Sequence, residues 1–270
     1  MSRLRLSAFI FATISARTAS VQADLGIASE FLSSVILDAG APVHAMAAGE
    51  LDLLASGHEI VFLRVDGDVV LVKRAADAWV TTQLLEGDLT YPIPVIRMRT
   101  TLNVADVRPD VPGLEIVSYT PNNIHVFFHD SSGNWSVESV DESLPLMFGF
   151  GWGARPGEIV PSYPGLEILL IWEGAGDVSG GALYGRTPAG WERVTEMEIY
   201  GGEVAMDTVM GDVNPDNPGN EIILTTEMGP TYEVIRPANV NATPWPRTTL
   251  WDDFDNSGWV MCVADVDPAT

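Results

Sequence analysis

The residues best equipped for chemistry form one acid-rich string, Asp212-Val213-Asn214-Pro215-Asp216-Asn217-Pro218-Gly219-Asn220-Glu221. Oxygen-bearing side chains at alternate positions, then a glycine, then another carboxylate, can wrap a hard cation of calcium type. The glycine permits a tight turn, and the alternation lets successive oxygens point inward. Without a cation, the same acids would accept backbone N–H groups of the turn, as Asp and Asn commonly do. Asp253-Phe254-Asp255-Asn256-Ser257-Gly258 opens like an EF-hand loop. Its twelfth position is Ala264, where a bidentate Glu is required, so it reads as a polar connection.

Other catalytic chemistry is poorly represented. The chain has no Gly-x-Ser-x-Gly elbow, no His-Glu-x-x-His and no phosphate-binding loop. Gly174-Ala175-Gly176-Asp177-Val178-Ser179-Gly180 is glycine-rich but wrongly spaced for phosphate, and reads as a hairpin. His125 and His129 fall on one expected strand, about 13 Å apart at ~3.3 Å per residue, too far to chelate one metal together. Arg97, Arg99 and His44, on innermost-type strands, are the best candidates for an active site assembled from several sheets. Four aromatics, Tyr91, Trp172, Tyr200 and Trp259, fall near expected connections on the face opposite the acidic turns. There they could stack on a sugar ring, anchor a protein partner or seal loops. Asn134-Trp135-Ser136 matches a glycosylation sequon, meaningful only in a eukaryotic secretory setting.

What positions these residues is an internal repeat. Gly-x-Glu-Ile-aliphatic recurs at Gly57–Val61, Gly113–Val117, Gly165–Leu169 and Gly219–Ile223, placing glutamates at 59, 115, 167 and 221. Nine residues before each stands an acid, between a small residue and an aliphatic: Gly49-Glu50-Leu51, Ala105-Asp106-Val107, Gly157-Glu158-Ile159 and Gly211-Asp212-Val213. Ala264-Asp265-Val266 begins a fifth copy. Trp79, Trp135, Trp191 and Trp245 keep the same phase, which marks them as packing residues. Each period holds four short runs of alternating or β-branched residues punctuated by Gly, Pro, Asn or Asp; in the second they are Leu102–Val107, Glu115–Thr120, Ile124–His129 and Trp135–Val140. No amphipathic helix is evident.

Four antiparallel strands per period, repeated radially, describe an all-β chain, a β-propeller of four-stranded blades. The expected blades run from about 43–85, 93–140, 146–198 and 204–251, within repeats spanning 24–270. Partial strands are expected at 31–37 and 260–266, making the propeller incomplete and the chain part of a longer one. The small residue before each acid fits innermost strands crowded near an axis.

The turns and the repeat together resemble the FG-GAP/VCBS family of β-propellers, whose turns carry an Asp-x-Asp-x-Asp-Gly type calcium loop. The resemblance covers about 49–270. It implies Asp212, Asn214, Asp216 and Glu221 as calcium ligands in the fourth copy, and Asp265 and Asp267 in the fifth. The loop here is one residue longer and closes with Glu in place of Asp. In the second copy Arg108 takes a middle ligand place and would repel a cation; in the first, Leu54 replaces a ligand.

Composition narrows the class. Among 270 residues, 14 Lys+Arg against 37 Asp+Glu give a net charge of −23, which argues against a nucleic-acid partner. Cys262 is the single cysteine, so neither an internal disulfide nor a multi-cysteine metal site is available. Arg3 and Arg5 precede the apolar run Leu6–Ala16, and small residues precede Asp24, so residues 1–23 read as a signal peptide for secretion or periplasmic export. That run is about half the ~20 residues a membrane span needs, and no span is expected. The expectation is therefore a non-enzymatic, secreted binding or scaffold module, calcium-stabilised, recognising carbohydrate or protein. The competing expectation is the propeller domain of a carbohydrate-active lyase or dehydratase, similar to aldos-2-ulose dehydratase or rhamnogalacturonan lyases.

Overall fold

A computed structural model describes residues 39–251, apart from 53–56, 76–77, 87–100, 121–122, 131, 133, 142–150, 174–178, 200–204, 212–219, 227–230 and 235–244. Every regular element among the described residues is a β-strand. The first sheet contains β1 (Val43–Gly49), β2 (Glu59–Arg64), β3 (Val69–Ala75) and β4 (Ala78–Leu85). The second contains β5 (Thr101–Ala105), β6 (Glu115–Thr120), β7 (Asn123–His129) and β8 (Trp135–Ser139). The third contains β9 (Gly151–Gly157), β10 (Glu167–Glu173), β11 (Ser179–Thr187) and β12 (Gly190–Ile199), and the fourth β13 (Ala205–Gly211), β14 (Glu221–Thr226), β15 (Thr231–Val234) and β16 (Arg247–Trp251).

Each sheet is an antiparallel meander in which neighbours in sequence are neighbours in space. The all-β, four-by-four architecture read from the sequence is thus present. The registers repeat as well. Ile60 pairs with Val72, Ile116 with Phe127, Ile168 with Tyr184 and Ile222 with Val234. The Gly-x-Glu-Ile string therefore opens the second strand of every sheet and fixes the same pairing each time.

Alternation along these second strands supplies two apolar faces per sheet. Val61 and Leu63 join a core with Ile116 and Phe127 of the second sheet. Val117 and Tyr119 join one with Ile168 and Leu170 of the third. Leu169 and Ile171 join one with Ile222 and Leu224 of the fourth. The periodic tryptophans serve these seams: Trp135, Trp191 and Trp245 each pack into the core shared with the preceding sheet. Trp79 packs on the other face of the first sheet, with Phe62, Val72 and Ala39.

The first strands of successive sheets lie against one another, β1 on β5, β5 on β9 and β9 on β13. Their small residues make this approach possible. A Cβ on Gly49 would stand 2.6 Å from Val104 Cγ1, and one on Gly157 would stand 2.7 Å from Met210 Cβ. At Gly153, with φ of 128°, it would stand 2.3 Å from Thr101 Cγ2. Thr101 uses the closeness: its hydroxyl donates to Ala154 O (3.1 Å) and accepts from Ala154 N (2.9 Å), joining the second and third sheets.

Candidate functional site

The turn between the first and second strands is where the sequence concentrates its acids. The closing glutamate of each copy is fully buried: Glu59, Glu115, Glu167 and Glu221 are 2%, 1%, 0% and 0% exposed. In three sheets its task is plain. Glu59 Oε2 accepts the N–H groups of Leu51 (2.7 Å) and Asp52 (3.0 Å). Glu115 Oε2 accepts those of Val107 and Arg108, each at 2.9 Å. Glu167 Oε2 accepts those of Ile159 (2.6 Å) and Val160 (2.8 Å). One carboxylate oxygen thus holds two consecutive buried amides leaving the first strand, and the Val107 N–H is shared with Ala105 O at 3.1 Å. Glu221 occupies the same place in the fourth sheet.

Burial sets the acidity of these carboxyls. It pushes Glu115 up to about 7, aided by the nearby Asp106 carboxylate and opposed by the two backbone donors and the Arg108 guanidinium. Glu167 is raised for the same first reason, with Glu158 adding to it. Its Oε1 is buried with no hydrogen-bond partner.

Beside each of the first three clamps, one position is filled differently. It faces the residue following the paired positions above: Lys73, Phe128 and Gly185. In the first sheet Lys73 Nζ sits 2.8 Å from Asp52 Oδ2. In the second the Arg108 guanidinium lies 3.9 Å from the Phe128 ring centroid. In the third the Tyr163 ring covers Gly185, where a Cβ would come within 2.4 Å of it. A positive group of the chain itself therefore stands at each of the first two turns, Lys73 reaching in from β3 and Arg108 belonging to the turn.

Arg108 does more than fill space. Its Nε and Nη2 grip Asp110 at 3.2 and 2.6 Å, and its Nη1 meets Glu138 Oε2 at 3.1 Å. Arg186 of the third sheet approaches the other Glu138 oxygen at 3.4 Å and lies over the Trp191 ring. The Arg108 hydrogen bond holds the Asp110 carboxyl below its ordinary range. Nearby, Asp141 Oδ2 accepts from the Tyr184 hydroxyl (2.9 Å) and Arg193 Nη2 (2.6 Å), and Arg193 also pairs with Glu196. Tyr163 donates to Glu192 at 2.6 Å, which pushes its hydroxyl up to about 12.

The residues proposed as ligands or contacts are distributed unevenly over the described chain. Asp212, Asn214, Asp216, Asp265, Asp267, Tyr91, Tyr200, Trp259, Arg97 and Arg99 lie outside the described residues, as do the leader 1–23 and the partial strands 31–37 and 260–266. Trp172 stands near the end of β10, half-buried beside the core shared by the second and third sheets, with its indole covering Gly180. His44 is on β1, where burial lowers its pKa. His125 and His129 are both on β7, and the His129 ring meets Trp135 edge-on at 4.2 Å. Sequence reading missed the seam network. Arg186 and Glu138 carry no motif, and only the register brings them together. Among the described residues no group of three or more His, Cys, Asp or Glu is placed to hold a metal. No helix among them is long and apolar enough to cross a membrane.

No family model and no curated protein matches the chain. Among solved structures, a triple arginine-to-alanine mutant of AofleA from Arthrobotrys oligospora is similar over 77% of this chain, with 14% identity and a TM-score of 0.44. The match covers 57% of that protein, so this chain spans a little over half its length.

Proposed function

We propose that the chain is a β-propeller arc of the FG-GAP/VCBS type, acting as an exported, non-enzymatic binding or scaffold module for a carbohydrate or protein ligand. The observation that carries this reading is the side-by-side packing of the four first strands. Four meanders that touch through their first strands, with Trp135, Trp191 and Trp245 packed into the core shared with the preceding sheet, support blades arranged about a common centre. In the three described clamps a glutamate oxygen is engaged in holding the turn, which supports a scaffold on that face. Antiparallel alternation puts the second-to-third-strand connections and the links between sheets together on the opposite face. That face is the one assigned to ligand, with Trp172 and the aromatics Tyr91, Tyr200 and Trp259 as contacts. Calcium at Asp212, Asn214, Asp216 and Glu221 is assigned a stabilising role, away from the ligand.

Glycan-array and affinity-capture measurements test the assignment, with Tyr91→Ala, Tyr200→Ala and Trp259→Ala variants alongside. A ligand whose binding falls at least tenfold in one or more of these variants, with melting temperature unchanged, supports it. Turnover of an acidic polysaccharide, detected as unsaturated products, would replace the binding role with catalysis.

A further inference from the structure

The turn 106–110 contributes several separate contacts to the seam between the second and third sheets. Asp106 O accepts the Leu166 N–H at 3.2 Å. The Pro109 ring occupies the space over Gly165, where a Cβ would stand 2.5 Å from its Cδ. Asp110 and Arg108 meet the third sheet through Arg186, directly at 3.9 Å from Asp110 and by way of Glu138. The two amides that shape this turn are both held by Glu115 Oε2, inside a site 1% exposed.

We propose that this turn is an ionisation-governed latch, in which loss of the Glu115 proton loosens the seam between the second and third sheets. A carboxylate taken out of water without a full set of compensating charges is costly, and the cost is relieved by opening the turn to solvent. The charged groups acting on Glu115, and those carried by the sheets packed on either side of it, define the balance. Asp106 opposes its charge, and Arg108 favours it while being shared with Asp110 and Glu138. From the third sheet come Arg186, already engaged with Glu138, and the clamp acid Glu167 with Glu158. The first sheet brings the mutually paired Asp52 and Lys73.

The direction follows from the folded chain holding this proton more tightly than the unfolded one. The stabilisation is fully present below the ordinary Glu value of 4.5 and is lost as pH rises through about 7. Glu115→Gln keeps a carbonyl acceptor for both amides and cannot ionise. The test compares wild type with Glu115→Gln from pH 5 to 8, with Glu59→Gln as the control in a clamp outside this seam. Across this range the wild type and Glu59→Gln should lose at least about 4 °C more in melting temperature than Glu115→Gln. Hydrogen exchange at the Leu166 amide, corrected for intrinsic rate, should rise about tenfold in wild type and stay level in Glu115→Gln. Parallel melting profiles for wild type and Glu115→Gln would overturn the latch. Should Glu115→Gln fail to fold, the wild-type exchange ratio of Leu166 to Val61 decides, and a pH-independent ratio overturns it.

Discussion

Glu59→Ala removes the whole acceptor from the first clamp and leaves the surrounding strands intact. Leu51 and Asp52 are 1% and 6% exposed, and both donate to the lost oxygen. A buried donor left without a partner costs roughly 1–3 kcal/mol, so two give about 2–6 kcal/mol, with entering water drawing the value toward the lower half. The expected loss is about 3 kcal/mol, a large share of the roughly 5–15 kcal/mol that holds a typical domain folded. Glu59→Gln retains an oxygen in reach of both amides, so its loss should be about 1 kcal/mol, well short of that of Glu59→Ala. Urea unfolding followed by tryptophan fluorescence gives the free energies, and hydrogen exchange at Leu51 and Asp52 gives the local consequence. If Glu59→Ala stays within about 0.5 kcal/mol of wild type and both amides remain protected, the clamp is not what holds the turn.

Gly153→Ala should destabilise by more than about 2 kcal/mol, because it combines a positive φ with a 2.3 Å collision on Thr101. Adding Thr101→Ser removes the colliding methyl and keeps the hydroxyl bonds to Ala154, so denaturation of the double variant should show partial recovery. A double-mutant cycle on Glu138→Ala and Arg186→Ala should give a coupling of about 1 kcal/mol, shrinking in about 1 M salt. Additivity in that cycle would remove the Glu138–Arg186 pair as a link between the second and third sheets. Calcium added to a chelated sample should raise the melting temperature, and Asp212→Asn with Asp216→Asn should abolish the rise. No shift at millimolar calcium in wild type would instead assign the fourth turn's acids to backbone hydrogen bonds.

The sequence by itself specified the strands. Gly-x-Glu-Ile, the small-acid-aliphatic triplet and the tryptophans recur in phase, and each marks a local requirement of the backbone. A glycine serves the turn at Gly113 and Gly165, where φ is 103° and 81°, and a small residue stands where strands crowd. Alternation then dictates which residues share a face. The sheet topology follows, because short antiparallel neighbours joined by tight turns have few other ways to pair. What the acids do was not legible in this way. A carboxylate serves equally as metal ligand, hydrogen-bond acceptor or ion-pair partner, and its role depends on which groups stand opposite it. Glu59, Glu115 and Glu167 proved to hold backbone amides, and Arg108 proved to be the centre of a seam, with partners 2, 20 and 30 residues away. Those neighbours are set by register and by the contact between sheets. Periodicity carries local geometry, whereas charge compensation is a property of the assembled interface, so only the tertiary structure could decide it.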